Sequence, residues 1–439
     1  MSRYTMDAGK VIDTLQKHIL VDGFHLIIDL QKSHGSYMVD AATGKEYLDF
    51  YSYFASLPVG HNHPKVTGDA EFLESLRWAA IANPANSDIY CKEYGAFVDR
   101  FAALVKPEHM KYMFFVAGGG LAVENALKAT FDWKVRKNLA KGMQGEKGQQ
   151  VIHFRESFHG RTGYTMSLTN TDPIKTDFYP KFKWPRIVNP KLRFPITPEV
   201  IADVEKVEKQ AVDEIKQACR DNKDDIACLI VESIQGEGGD NHFRKEFFQK
   251  LRELADENEF LLVFDEVQSG MGVTGKLWAY EHYDMQPDIF AFGKKAQVCG
   301  IMCSARIDEV KDNVFKKSSR INSTWGGNLV DMIRGVKYAE IIKEDGLVEN
   351  AAKMGAYFLE NLNGLAARSG GKISNVRGKG LFIAFDMKDT ASRNEFRNKC
   401  WDAGLATLAS GTRSVRFRGC LNIAKKEIDE AMRLLEKNL

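Results

Sequence analysis

The strongest constraint on this chain lies between residues 226 and 264. An apolar run, Ile226 to Val231, precedes Phe247, Phe248, Leu251 and Leu254 at helical spacing, and a second apolar run, Phe260 to Phe264, follows. Short runs without polar alternation belong to strands covered on both faces, and a helix between two of them is the connection that a parallel pair requires. An earlier segment repeats the form. Tyr112 to Val116 is apolar, Gly118 to Gly120 makes a turn, and Val123, Leu127, Phe131 and Val135 recur every fourth residue. The pattern predicts an α/β fold whose mostly parallel sheet is covered by helices.

The ends of the chain have a different rhythm. Val11, Ile12, Leu15 and Ile19 are spaced as a helix, and HGSYMVDAATGKEYLDF alternates about a turn at Thr43-Gly44. Thr197-Pro198 reads as a helix N-cap with proline in the first turn. After about residue 330 the order becomes helix (Met332 to Lys343), strands (Gly380 to Asp386, Ser414 to Arg418) and a last amphipathic helix with Ile428, Met432 and Leu435. At 439 residues the chain exceeds what one core fills. We expect a large domain over 66–330 and a smaller α+β domain built from both termini, 1–65 and 331–439, since a central domain leaves the ends free to meet.

Charge narrows the partners. The formal net charge is +2, which supplies no field for nucleic acid or a membrane surface. No run approaches the apolar length of a bilayer span, and charges interrupt the first twenty residues where a secretory leader needs a continuous apolar stretch. The chain is therefore expected in the cytoplasm. Its seven cysteines are scattered without a C-x-x-C pair, which predicts neither a disulfide framework nor a metal site.

Chemistry concentrates in LLVFDEVQSG, where four apolar residues deliver Asp265, Glu266 and Gln268 to the carboxyl end of a strand, the place where ligands bind in parallel sheets. Such a carboxylate serves equally to ligate a metal, cap a loop or pair with a protonated heterocyclic nitrogen. The nearby GMGVTGKL approaches a P-loop, but Leu277 stands where a magnesium-binding Ser or Thr is required, and the acidic strand precedes the glycines. A second strand, Asp288 to Phe292, ends in Gly293-Lys294-Lys295. Most lysines lie in solvent, yet apolar surroundings lower a lysine pKa toward the range where its amine is nucleophilic. Gly118 to Gly120 opens a helix and so offers backbone N–H groups to a phosphate, although a glycine turn alone also fits a bare bend. In ESFHGRTG either Phe158 or His159 can stack on a ring, and Arg161 suits a carboxylate.

Together these segments resemble the class III (ω-amino acid) aminotransferases of fold type I, over nearly the whole chain. The resemblance implies a mixed, mostly parallel seven-stranded sheet with pyridoxal 5′-phosphate as cofactor. It assigns Lys294, rather than Lys295, as the lysine that carries the cofactor and moves the proton, with Asp265 at the pyridine nitrogen. Gln268 is implied at the ring hydroxyl, Gly119 and Gly120 at the phosphate, and Phe158 over the ring. Thr324, in NSTWGGN, is implied at the partner subunit's phosphate, hence a homodimer.

FHGRTGYTMSLTNT, IQGEGGD, FGKKAQVCG, NSTWGGN and VRFR are most similar to the branch of the family that acts on the terminal amine of L-lysine. That branch passes the amine to 2-oxoglutarate, leaving 2-aminoadipate 6-semialdehyde and L-glutamate. Arg161 is then expected to bind the distal carboxylate of lysine. Arg416 is expected to bind the proximal carboxylate of glutamate, with Glu237 neutralising Arg416 when lysine is bound. Ornithine or 4-aminobutyrate is the alternative substrate; an aminomutase or a non-catalytic relative is the alternative class, and a non-catalytic relative would be expected to lack the lysine or the acid. Two positions depart from the usual family wording: Ala117 precedes the glycines where an acidic or polar residue is common, and Ser233 replaces a proline.

Overall fold

In the computed structural model, which describes residues 3–439, the predicted parallel sheet has seven strands. Their order across the sheet is Met110–Val116, Cys299–Ser304, Ile289–Phe292, Leu261–Asp265, Ile226–Glu232, Gln150–Phe154 and Arg186–Ile187. Cys299–Ser304 runs antiparallel to both neighbours, and every other pairing is parallel. This topology decides where chemistry can occur. The carboxyl ends of Met110–Val116, Ile226–Glu232, Leu261–Asp265 and Ile289–Phe292 share one edge, and the antiparallel strand begins there with Cys299.

The central strands Ile226–Glu232, Leu261–Asp265 and Ile289–Phe292 are buried along their whole length, as their unalternating sequences predict. One face packs on helix Gly119–Ala140 through Ala122, Val123, Ala126, Leu127 and Trp133. The other carries the aromatic core of Phe248, Phe264 and Phe290 beneath helix Lys245–Glu257. Thr197 caps helix Pro198–Asp221, its hydroxyl accepting the Val200 N–H at 3.3 Å.

The smaller α+β domain combines both termini. The hairpin Tyr37–Val39 and Glu46–Asp49 forms about the predicted turn, and Leu405–Ala406 from the far end of the chain joins its second strand in parallel. Beside it, strands Ser374–Lys379, Phe382–Asp386, Ser414–Arg418 and Leu408–Ser410 make an antiparallel sheet. Gly380 lies in the turn with φ 52, so the strand expected from Gly380 starts at Phe382. Helices Leu347–Arg368 and Thr390–Asp402 were not legible in the sequence pattern. No helix among the described residues is long and apolar enough to cross a membrane.

Candidate active site

A cavity of about 730 Å³ lies over the shared carboxyl edge of the strands, lined by Gly118 to Gly120, Phe158, Asp265, Gln268 and Lys294, with Ser56 and Cys299 closing its sides. A larger groove between Arg252, Asp288 and Arg306 sits at the opposite, amino ends of the strands. There Arg252 and Arg306 are both paired with Asp256 and Asp288, so the groove holds no uncompensated reactive group of that set.

Lys294 follows its strand after one residue, Gly293, and turns the backbone left-handed, with φ 46. A residue with a side chain adopts this only when its surroundings impose it, and here Gln297 N–H bonds the Lys294 carbonyl at 2.8 Å while Ala296 N–H bonds Gly293 at 3.0 Å. Burial lowers the pKa of the Lys294 amine; the charge of Asp265 opposes that shift and Arg416 adds to it. Lys295 points the other way and donates to the Leu57 carbonyl at 2.9 Å. The two adjacent side chains thus have different surroundings: Lys294 lines the cavity and Lys295 does not.

Asp265 is buried, and its carboxylate is held on both oxygens. His159 Nδ1 shares a 2.9 Å hydrogen bond with Oδ2, and Val267 N–H donates to Oδ1 at 2.9 Å. Phe158 and His159 both line the cavity, and His159 is in addition engaged with the acid. Beneath them Glu232 accepts the N–H groups of Phe158 and Gly236, each at 2.9 Å. Burial pushes its carboxyl up to about 7, opposed by His159 and reinforced by Asp265. Glu266, the neighbour of Asp265, lies outside the cavity lining: it accepts from Ser269 and from the N–H groups of Ala279 and Tyr280, and so fastens the following loop. Ser233 also donates to Glu266, which gives the departure from proline a structural role.

The glycine turn is built for close approach. Gly118 has φ 111, a conformation that side chains rarely adopt, and a Cβ on Gly119 would lie 2.9 Å from Val267 Cγ1. The helix begins at Gly119, so its first N–H groups face the cavity and favour an anion.

Arg161 lines the same cavity from an exposed position. Glu237 and Arg416 stand just outside it and bond to each other at 2.7 Å. Gln268 links them to the cavity, because its carbonyl oxygen receives Arg416 Nη1 at 3.2 Å and Arg418 Nη2 at 3.1 Å. Burial pushes the Glu237 carboxyl up, but Arg416 and Lys175 outweigh that and hold it at about 2. Thr324 is exposed and does not line the cavity of its own chain. Sequence reasoning missed His159 as the partner of Asp265, Glu232 beneath it, and Lys175. The lysine, acid, ring and glycines that line this one cavity are the donor set that pyridoxal phosphate requires: an amine for its aldehyde, an acid for its nitrogen, N–H groups for its phosphate and an apolar face for its ring.

Comparison with known proteins agrees with this geometry. The family model described as aminotransferase class-III matches residues 21–439. The L-lysine-epsilon aminotransferase of Mycobacterium tuberculosis is 47% identical over 423 residues, covering 96% of this chain and 94% of that protein. The enzyme of the same name from Streptomyces clavuligerus is 47% identical over 435 residues, covering 99% and 95%. The structure of the lysine aminotransferase from M. tuberculosis superposes with a TM-score of 0.97 at 46% identity, covering 99% of each chain. The chain belongs to the class III aminotransferases, enzymes that depend on pyridoxal 5′-phosphate.

Proposed function

We propose that this chain is an L-lysine 6-aminotransferase, moving the terminal amine of L-lysine to 2-oxoglutarate to give 2-aminoadipate 6-semialdehyde and L-glutamate. The observation that carries the substrate assignment is the 2.7 Å Glu237–Arg416 pair beside a cavity that also holds Arg161. The relatives named above as lysine aminotransferases support it.

Bound pyridoxal phosphate supplies an aldehyde to take the amine and a protonated pyridine ring that withdraws electrons from the carbon bearing it. The residues of this chain do the rest. Asp265, fixed by His159, would hold the proton on the pyridine nitrogen, because an adjacent anion favours the charged ring. Gly119 and Gly120 would hold the phosphate and Phe158 would cover the ring. Gln268, its carbonyl engaged by the arginines, would offer its amide N–H to the ring hydroxyl. Lys294 would carry the cofactor, and its amine, freed when substrate enters, would take the proton from the substrate carbon and deliver it to the carbon on the far side of the amine nitrogen.

Substrate choice follows from where the carboxylates lie. The carboxylate of lysine is far from its reacting amine and suits Arg161. Glutamate reacts at its α-amine and brings a second carboxylate close to the reacting carbon, which Arg416 would bind once Glu237 moves aside. When lysine occupies the site, Glu237 would keep Arg416 neutralised, so that no bare guanidinium faces the methylenes and ammonium of the substrate.

The working unit proposed here is a homodimer in which Thr324 reaches the phosphate of the partner chain. Its exposure outside its own cavity, beside the half-exposed Trp325, supports this arrangement.

The test is a half-reaction screen in which the yellow holoenzyme is mixed separately with lysine, ornithine, 4-aminobutyrate and glutamate while the cofactor absorbance is followed. Lysine and glutamate should bleach it fastest. Faster reaction with ornithine or 4-aminobutyrate would overturn the substrate. Borohydride reduction followed by peptide mapping should place the cofactor on Lys294, and any other site would overturn the assignment of that lysine.

A further inference from the structure

The two oxygens of Glu237 are divided between two cations. Oε2 accepts Arg416 Nη2 at 2.7 Å, and Oε1 accepts Lys175 Nζ at 2.7 Å. Lys175 is not a loose surface lysine. Its side chain is only 15% exposed, Nζ lies 3.3 Å from Thr171 Oγ1 and 5.5 Å over the Phe158 ring, and the short turn that carries it is capped by Asp172, which accepts the Ile174 N–H at 3.1 Å.

A gate formed by Glu237 and Arg416 alone has a defect. Opening it would leave a half-buried carboxylate without a cation, and that cost opposes opening. Lys175 removes the defect, because Glu237 can leave Arg416 by pivoting about the oxygen that Lys175 already holds. The charges also fit. Two cations and one carboxylate leave one positive charge over, which is the charge that an arriving second carboxylate neutralises.

We propose that Lys175 is a specificity-determining residue, the cation that retains Glu237 while Arg416 is released to a dicarboxylate; this rests on the gate reading above. Lys175 acts on glutamate and 2-oxoglutarate through Glu237, and its removal biases the gate toward the closed, lysine-accepting state.

The experiment uses holoenzyme carrying Lys175→Met, Lys175→Arg, Glu237→Ala, or both Lys175→Met and Glu237→Ala. Rapid mixing gives each half-reaction, and calorimetry gives the binding of glutarate and hexanoate, a dicarboxylate and a monocarboxylate that do not react. Lys175→Met should slow the glutamate half-reaction about tenfold more than the lysine one and weaken glutarate about tenfold more than hexanoate, the scale of one charge-assisted hydrogen bond. Lys175→Arg should restore most of both ratios, and Lys175→Met should change neither in the Glu237→Ala background. Equal losses in the two half-reactions would reduce Lys175 to a structural residue. A glutarate defect that persists at full size without Glu237 would show direct attraction of the ligand and overturn the retention role. If Glu237→Ala alone fails to separate the half-reactions, the gate itself falls, an outcome read from a variant that leaves Lys175 intact.

Discussion

Arg416 reaches Glu237 across the junction of the two domains, a 2.7 Å hydrogen bond between strand Ser414–Arg418 and the turn that follows strand Ile226–Glu232. Arg416 is 2% exposed and Glu237 27% exposed at the side chain, so the carboxylate is the partner with room to move. Movement of Glu237, rather than of Arg416, is therefore what the proposed exchange of substrates requires.

Replacing Glu237 by Ala should lower the lysine half-reaction by about tenfold or more relative to the glutamate half-reaction, since a buried guanidinium without its partner opposes the ammonium of lysine. Equal losses in rapid-mixing experiments would sink the gate. Its pH dependence has a definite sign. A carboxyl held at about 2 keeps its partner above the ordinary carboxylate range and loses it only as pH falls through about 2. The ratio of the two half-reactions should consequently stay flat across the neutral range, and a break there would assign the switch to another group.

Gly119→Ala tests the glycine turn. A Cβ there meets Val267 Cγ1 at 2.9 Å, so either the Val267 side chain, which also lines the cavity, or the first turn of the helix must shift. Reloading of cofactor-free protein, followed by fluorescence quenching, should show affinity for pyridoxal phosphate falling by about tenfold or more, the value of a hydrogen bond to a charged group. Unchanged affinity would place the phosphate elsewhere.

Much of this site was legible because the sheet was. Runs at 226–231, 260–264 and 288–292 marked strands, and position put Asp265 and Lys294 near strand ends, but their roles came from the glycine turn, Phe158 and the family resemblance taken together. What stayed hidden was contact between distant segments. His159 meets Asp265 from 106 positions away, and Lys175 meets Glu237 from 62, both through loops whose course no periodicity encodes. Helix Thr390–Asp402 escaped for a different reason: it buries only Arg393, Phe396 and Cys400, which leaves no apolar stripe to detect. In VRFR the sequence singled out Arg416, and only the fold shows that Arg418, two residues on, is taken up by Asp240.

Lys294→Met in the cofactor-free protein should raise thermal stability at neutral pH. Burial lowers the pKa of this amine in the folded state, so between that lowered value and the ordinary lysine value the unfolded chain binds the extra proton, and native stability rises with pH. At neutral pH the lysine therefore imposes a cost that methionine lacks. The advantage of the variant should shrink as pH climbs toward the ordinary lysine range, and melting curves in which it grows would contradict the buried, destabilised amine.

Asp240 and Arg418 form a second ion pair beside the proposed gate. Both side chains are fully buried, and the guanidinium is bidentate on the carboxylate, Nη1 to Oδ2 and Nη2 to Oδ1 each at 2.8 Å. The same guanidinium lies 3.3 Å over the Phe382 ring and donates Nε and Nη2 to the Gln268 carbonyl. Asp240→Asn removes the charge while keeping the volume, leaving a buried cation uncompensated at a cost of about 3–5 kcal/mol. Melting temperature should fall accordingly, and the glutamate half-reaction should weaken as well, because Gln268 and Arg416 lose a fixed neighbour. Asp240→Leu combined with Arg418→Met should recover part of the stability, since an apolar pair of similar volume removes the desolvation cost of both ions. If the double variant melts as low as Asp240→Asn, packing at this position rather than the unpaired charge sets the stability of the domain junction.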